Sequence, residues 1–178
     1  MRNRTNQNGV TLLELMIVLA VAAILAAIGA PSFTDFVRTT RLNSAKTQLV
    51  SDLNFARSEA VKRNIRVLIC AANTGNTTCN AVTDWASNGW LICFDADSNN
   101  VCDDNSLSNP NPIQIRAALH STLSITGPNT PIRLNPIGSQ GDAGNSGVNV
   151  TISGTWSSPK SAVITVAGTG NITSTKVQ

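Results

Sequence analysis

Between Val10 and Ala30 only Thr11, Glu14 and Gly29 interrupt a 21-residue run of Leu, Ile, Val, Met and Ala. A helix rising ~1.5 Å per residue turns that run into a rod of about 30 Å, the thickness of a bilayer's hydrocarbon core. This argues against a fully soluble chain. The remainder of the 178 residues is the size of one modest domain, so a second core is not expected. Lys plus Arg is 13 against 10 for Asp plus Glu, and Arg2 and Arg4 precede the apolar run, which leaves 11 against 10 for everything after residue 9. A near-neutral body argues against a broad electrostatic footprint for nucleic acid.

The first nine residues are polar and carry Arg2 and Arg4 with no acid, so the positive-inside rule predicts a cytoplasmic N-terminus and an exported C-terminal part. A secretory signal cut after small residues such as Ala26, Ala27 and Ala30, or a plain anchor, are the alternatives. Neither accounts for Glu14. A carboxylate inside an apolar helix is costly in lipid and calls for a cationic partner. Cleavage after Gly9 would supply one, the new α-amino group of Val10, in the same helix or on a neighbour packed one step along.

The stretch Gly9-Val10-Thr11-Leu12-Leu13-Glu14-Leu15, joined to the apolar run and Pro31, resembles the class III signal of type IV pilins and type II secretion pseudopilins. The resemblance implies that a prepilin peptidase removes residues 1–9 and methylates the new N-terminus at Val10. It also implies that Glu14 and Pro31 serve assembly. The family usually has Phe where this chain has Val10.

Pro31 removes a backbone donor and is expected to bend or loosen the helix, with Ser32 recapping the helix beyond it. From Phe33 to Arg63 apolar residues recur at Phe33, Phe36, Val37, Leu42, Ala45, Leu49, Leu53, Ala56 and Ala60, the three-and-four spacing of one buried stripe. Arg38, Arg41, Lys46, Gln48, Asp52, Arg57, Glu59 and Lys62 are expected on a solvated face with local pairs.

The segment from Asp52 to Asn64 is similar to the close of the long helix in the GspH/FimT group of minor pseudopilins, which includes FimU-type minor pilins. The segments Asp84-Trp85, Asn88 to Asp95 and Ile132 to Gly138 agree with that group.

Beyond Asn64 short β-rich runs alternate with Asn, Gly, Ser, Thr and Pro. Strands are predicted at Ile65–Cys70, Gly89–Phe94, Ile113–Leu119, Leu123–Thr126, Ile132–Asn135, Val148–Ser153, Ala162–Val166 and Asn171–Thr173. Antiparallel strands with one buried face fit the alternation in Val148 to Ile152. The expected fold class is α+β: a leader at 1–9, a transmembrane helix at 10–30, an amphipathic helical stalk at 31–64 and a β-rich domain at 65–178. Cys70, Cys79, Cys93 and Cys102 all lie in the exported part and suggest disulfides in an oxidising compartment. Three connectivities are possible. Cys70 with Cys79 and Cys93 with Cys102 is favoured because each pair starts at a strand end and closes a short polar loop. The crossed pairing Cys70–Cys93 with Cys79–Cys102 stays open.

Asp95, Asp97 and Asn99 stand at alternate positions with Asp103 and Asp104 nearby, as in a calcium loop, but Asn100 occupies the glycine position and Ser106 the bidentate glutamate position. No metal or other cofactor is therefore assigned. His120 is the only histidine and lies in no nucleophile motif, so catalysis is not expected and His120 is placed at a strand end. Trp85, Trp90 and Trp156 are expected as core or loop anchors. FimT-type relatives in DNA uptake are associated with a Gly-Arg-x-Arg element near the C-terminus. The matching stretch from Gly168 to Lys176 has Asn171 and Thr173 at the arginine positions. Scattered cations, chiefly Arg116, Arg133, Lys160 and Lys176, would have to carry DNA binding, the alternative function.

The leading expectation is a structural subunit of a type IV pilus or type II secretion pseudopilus, at a tip or priming complex. It would be single-pass in a bacterial inner membrane with its C-terminal domain periplasmic, then enter the filament. Its partners would be other major and minor pilins or pseudopilins, a prepilin peptidase and an inner-membrane assembly platform. Mass spectrometry of the mature protein is expected to find an N-methylated Val10 terminus; an intact Met1 terminus or a cut near Ala30 would contradict this.

Overall fold

The computed structural model describes residues 10–103, 111–141 and 147–178. Helix α1 runs over Leu12–Arg63 as 52 residues without interruption. Thr11 starts it: its Oγ1 accepts the Glu14 N–H at 3.2 Å, while its carbonyl accepts from Leu15 N at 3.1 Å. That is the Thr-x-x-Glu half of a capping box, with an acid where the helix dipole favours one. Asn64 ends the helix at φ 55°, the left-handed conformation that asparagine tolerates. The helix continues through Pro31 and Ser32, so the recapping expected at Ser32 is not seen. One missing N–H weakens a single turn, and the turns on either side stay bonded.

The chain divides into two compact units, residues 1–37 and 38–178. Along the described part of the first unit the side chains face outward: Leu12 is 76% exposed, and Phe33 and Phe36 are each 67% exposed. The stripe expected to begin at Phe33 thus begins at Leu42. Within the second unit Leu42, Leu49, Leu53, Ala56 and Ala60 are fully buried.

Among the described residues eight strands come after the helix: β1 (Arg66–Ala71), β2 (Trp90–Asp95), β3 (Gln114–Arg116), β4 (Leu123–Thr126), β5 (Ile132–Leu134), β6 (Val148–Gly154), β7 (Ser161–Val166) and β8 (Ile172–Ser174). They form two antiparallel four-stranded sheets, ordered β3-β2-β1-β5 and β4-β6-β7-β8. Each predicted strand has a counterpart, with ends shifted by a residue or two except in β3. There Ala117 to Leu119 leave the ladder.

Strands β6 and β7 bury alternate residues, as a one-sided sheet should: Val150, Ile152, Ala162, Ile164 and Val166 join the helix stripe in one core. Strands β1 and β2 depart from the expectation of a single buried face. Nearly every residue in them is buried, with Val67, Ile69, Trp90, Ile92 and Phe94 in the helix-side core and Leu68, Cys70, Leu91 and Cys93 in a second cluster. The sequences Val67-Leu68-Ile69-Cys70-Ala71 and Leu91-Ile92-Cys93-Phe94 carry the signature of two-sided burial, a continuous apolar run without alternation.

Replacing a fully buried stripe residue removes packed methyl groups and leaves a cavity, so Leu49→Ala is expected to cost about 2–5 kcal/mol of stability. Phe36→Ala, at an exposed site, should stay within about 0.5 kcal/mol. Chemical denaturation of the full chain in detergent, monitored by circular dichroism, distinguishes the two; equal losses would contradict the placement of the stripe.

Candidate functional site

Two regions carry features that a compact core does not require. The first is the N-terminal helical segment. Val10 is 71% exposed, and its neighbours Leu13, Met16, Ile17 and Leu19 are 56% exposed or more. Glu14 is exposed among them and its backbone is capped by Thr11. The helix is long and apolar enough to cross a membrane, on length and composition. One carboxylate on such a surface costs about 2.5–3.5 kcal/mol at the centre of a bilayer and is normally kept only with a partner. Gly9, Arg2 and Arg4 lie outside the described residues. Pro31 is helical in its backbone.

The second region is the face where α1 meets the first sheet. Asp52, expected on the solvated face, is 1% exposed. Its two oxygens accept from Arg116 Nε and Nη2, both at 2.8 Å, and Oδ2 also accepts from Trp90 Nε1 at 2.9 Å. Gln48 Nε2 adds a contact to Oδ1 at 3.1 Å. The hydrogen bond from Arg116 to that carboxylate pushes the guanidinium's pKa above its ordinary value. One side chain of the helix thus grips the start of β2 and the end of β3. The signal is present in the sequence: Asp52 stands three residues after Leu49 and four before Ala56, inside the stripe.

Glu59 is also buried, 8% exposed, and pairs with Arg63 at 2.8 Å and Lys62 at 3.8 Å. Half-buried Arg57 donates from Nε to the Gly138 carbonyl at 2.8 Å. That carbonyl is approached so closely by Gly170 that a Cβ there would lie 1.8 Å away, and Gly170 takes φ 78°. The Gly168 to Gly170 turn, which opens the stretch matched to the arginine element, is therefore packed against the helix through a glycine that no other residue can replace.

The remaining basic residues do not share one sheet. Arg116 is held by Asp52, and Arg133 lies on β5 with Nη1 3.4 Å from Asn100 Oδ1. Lys160 precedes β7 and donates to Thr39 Oγ1 at 3.2 Å, and Lys176 lies just past β8. Trp85 and Trp90 are buried, while half-buried Trp156 lies under the Arg38 guanidinium at 5.7 Å. His120 sits in the turn before β4, bonded to Arg41 at 3.0 Å.

The cysteines are joined Cys70–Cys79 and Cys93–Cys102, with Cα separations of 5.6 and 5.5 Å. The two bonds are neighbours on the face of β1 and β2 away from the helix, where Cys79 Sγ and Cys102 Sγ stand 3.7 Å apart. They strap two loops over that face and account for its burial.

This geometry has counterparts among known proteins. The family model described as "Type II transport protein GspH" matches residues 45–170, and the "Prokaryotic N-terminal methylation motif" matches residues 4–30. Two crystal forms of the type IV minor pilin FimU of Pseudomonas aeruginosa (strain PAO1) are similar in fold. One is 17% identical with a TM-score of 0.50, covering 76% of this chain and 96% of that one. The other is 18% identical with a TM-score of 0.54, covering 80% and 96%.

Removing Asp52 leaves Arg116 and the Trp90 N–H without their acceptor, so Asp52→Ala is expected to destabilise the chain by about 3–5 kcal/mol. Pairing it with Arg116→Met should recover part of that loss. Denaturant titrations of the two variants and the parent check this, and a loss under about 1 kcal/mol for the single variant would contradict the role given to Asp52.

Proposed function

Because this chain belongs to the type II transport protein GspH family, whose model spans residues 45–170, we propose that it is a minor pilin or pseudopilin working at the tip or priming complex of its filament. The observation that carries this reading is the exposed apolar N-terminal segment of α1 with Glu14 inside it, within a methylation motif at residues 4–30. In this reading residues 1–9 are a leader, a prepilin peptidase cuts between Gly9 and Val10, and Val10 is methylated. Residues 10–30 then hold the subunit in the inner membrane with the β-rich domain in the periplasm, and 31–64 form the stalk.

Assembly is driven by charge. The methylated amine at Val10 is a cation in an apolar setting, and Glu14 is an anion in the same setting one helical turn away. Two subunits that pair amine with carboxylate each lose an unpaired buried charge, so a neighbour is favoured at a fixed axial offset. Inner-membrane platform proteins present the subunit, and other major and minor pilins or pseudopilins receive it. The buried side of the β domain packs on α1, and its outward surfaces face neighbouring subunits. DNA uptake, the alternative function, is not favoured: Arg116 is committed to Asp52, and the Gly168 to Gly170 turn is packed on the helix.

Glu14→Ala is expected to keep membrane insertion, since it removes a cost of transfer, and to lose at least about tenfold in incorporation, because the neighbour's Val10 amine is left without its carboxylate. Immunoblots of sheared filaments against membrane fractions measure both. Parental levels in the sheared fraction would contradict the role of Glu14.

A further inference from the structure

Just beyond β2 the chain makes a tight excursion from Asp95 to Asp103, clamped at both ends. Cys93–Cys102 closes it covalently, and Asp103 N donates to the Phe94 carbonyl at 3.0 Å. Within it one carboxylate oxygen each from Asp95, Asp97 and Asp103 lies within 4.8 Å of the others. Asp95 is 0% exposed, and its Oδ1 has no hydrogen-bond partner. Its Oδ2 is occupied by Asn100 N at 3.1 Å and by Arg66 Nη1 at 3.5 Å. A buried carboxylate oxygen with nothing to accept is costly unless a cation or donor meets it.

The objection that the residues raise to a metal here is that Asn100 stands where a calcium loop needs glycine. In the structure Asn100 adopts φ 69°, the left-handed conformation for which glycine is used, and asparagine is among the few other residues that enter it. Its N–H is the one that binds the first carboxylate of the loop. The missing glycine therefore does not prevent the turn. Ser106, at the position of the bidentate glutamate, and Asp104 lie outside the described residues and form no part of the site.

We propose that the loop from Asp95 to Asp103 binds one calcium ion through the carboxylates of Asp95, Asp97 and Asp103, with water completing the shell. Two oxygens on a common calcium at 2.3–2.6 Å are at most about 5.2 Å apart, which the observed separations satisfy. Asp97 is exposed and gives the ion a route in, while half-buried Asp103 also accepts from Ala96 N at 2.7 Å. Burial pushes the Asp95 carboxyl above the usual carboxylate range, partly opposed by the Asn100 N–H and by Arg66. Arg66 and Arg133, both on Asn100 Oδ1, place positive charge beside the loop and keep the affinity low. A dissociation constant of about 10⁻⁴–10⁻³ M, that of extracellular calcium modules, is expected.

The test is calorimetric titration of CaCl2 into the full chain in detergent after chelator treatment, with thermal unfolding in chelator and in calcium alongside. Saturable binding of one ion per chain is expected, together with a higher melting temperature in calcium. Asp97→Asn should weaken binding at least about tenfold and abolish the calcium-dependent shift, while melting like the parent in chelator, since one of three charged ligands is lost. Because Asp97 is exposed and carries no core contact, that variant tests the ligand without testing the fold. Absence of saturable heat at about ten times the expected constant would overturn the proposal. Parental affinity in Asp97→Asn would do the same. Neither result bears on filament assembly, which is read from Glu14.

Discussion

The carboxylate of Asp52 holds together parts of the chain that have no other reason to meet. Its group is taken out of water on a helix face otherwise made of leucine and alanine, and that burial is tolerable because Arg116 and Trp90 arrive from two strands to satisfy it. Apolar contact alone fixes that α1 lies on a sheet but leaves sliding along the helix axis nearly free of penalty, because leucine packs on many neighbours. A bidentate guanidinium and an indole N–H have no such freedom. The register of β2 and β3 against the helix is therefore set by one polar residue, and the core fills in around it.

That fixed register organises the rest of the second unit. With β2 in place, β1 pairs along its whole length and β5 adds to β1's other edge. The far side of β1 and β2 is left apolar and is roofed by two disulfide-strapped loops. The second sheet closes over the same stripe through Val150, Ile152 and Ile164.

Much of this is readable in the residues. The three-and-four spacing from Leu42 to Ala60 is the buried stripe, and the eight β-rich runs are the eight strands, because both are local patterns and both periods are short. The departures share a cause. Residue type points Asp52 and Glu59 to solvent, although their positions fall on or beside the stripe, and only the arrival of Arg116, or the closeness of Arg63, makes their burial tolerable. The two-sided burial of β1 and β2 depends on loops that return from elsewhere in the chain. Phe33 and Phe36 fit the helical period, but period says which residues share a face, not what covers that face. At the loop after β2, Asn100 stands where glycine is usual and still takes the left-handed conformation, which asparagine tolerates.

Within the second unit helix α1 runs from Arg38 to Arg63 as one hydrogen-bonded element. A pull on the start of the helix within this unit is delivered along its axis. It meets Leu42, Leu49, Asp52, Leu53 and Ala60 together and loads them in shear, so that they must yield at once. A domain hung from a loop at its edge would instead be peeled open one contact at a time. The helical ridge is in this sense a mechanical device, turning an axial pull into the one loading direction that a ridge packed on a sheet resists best.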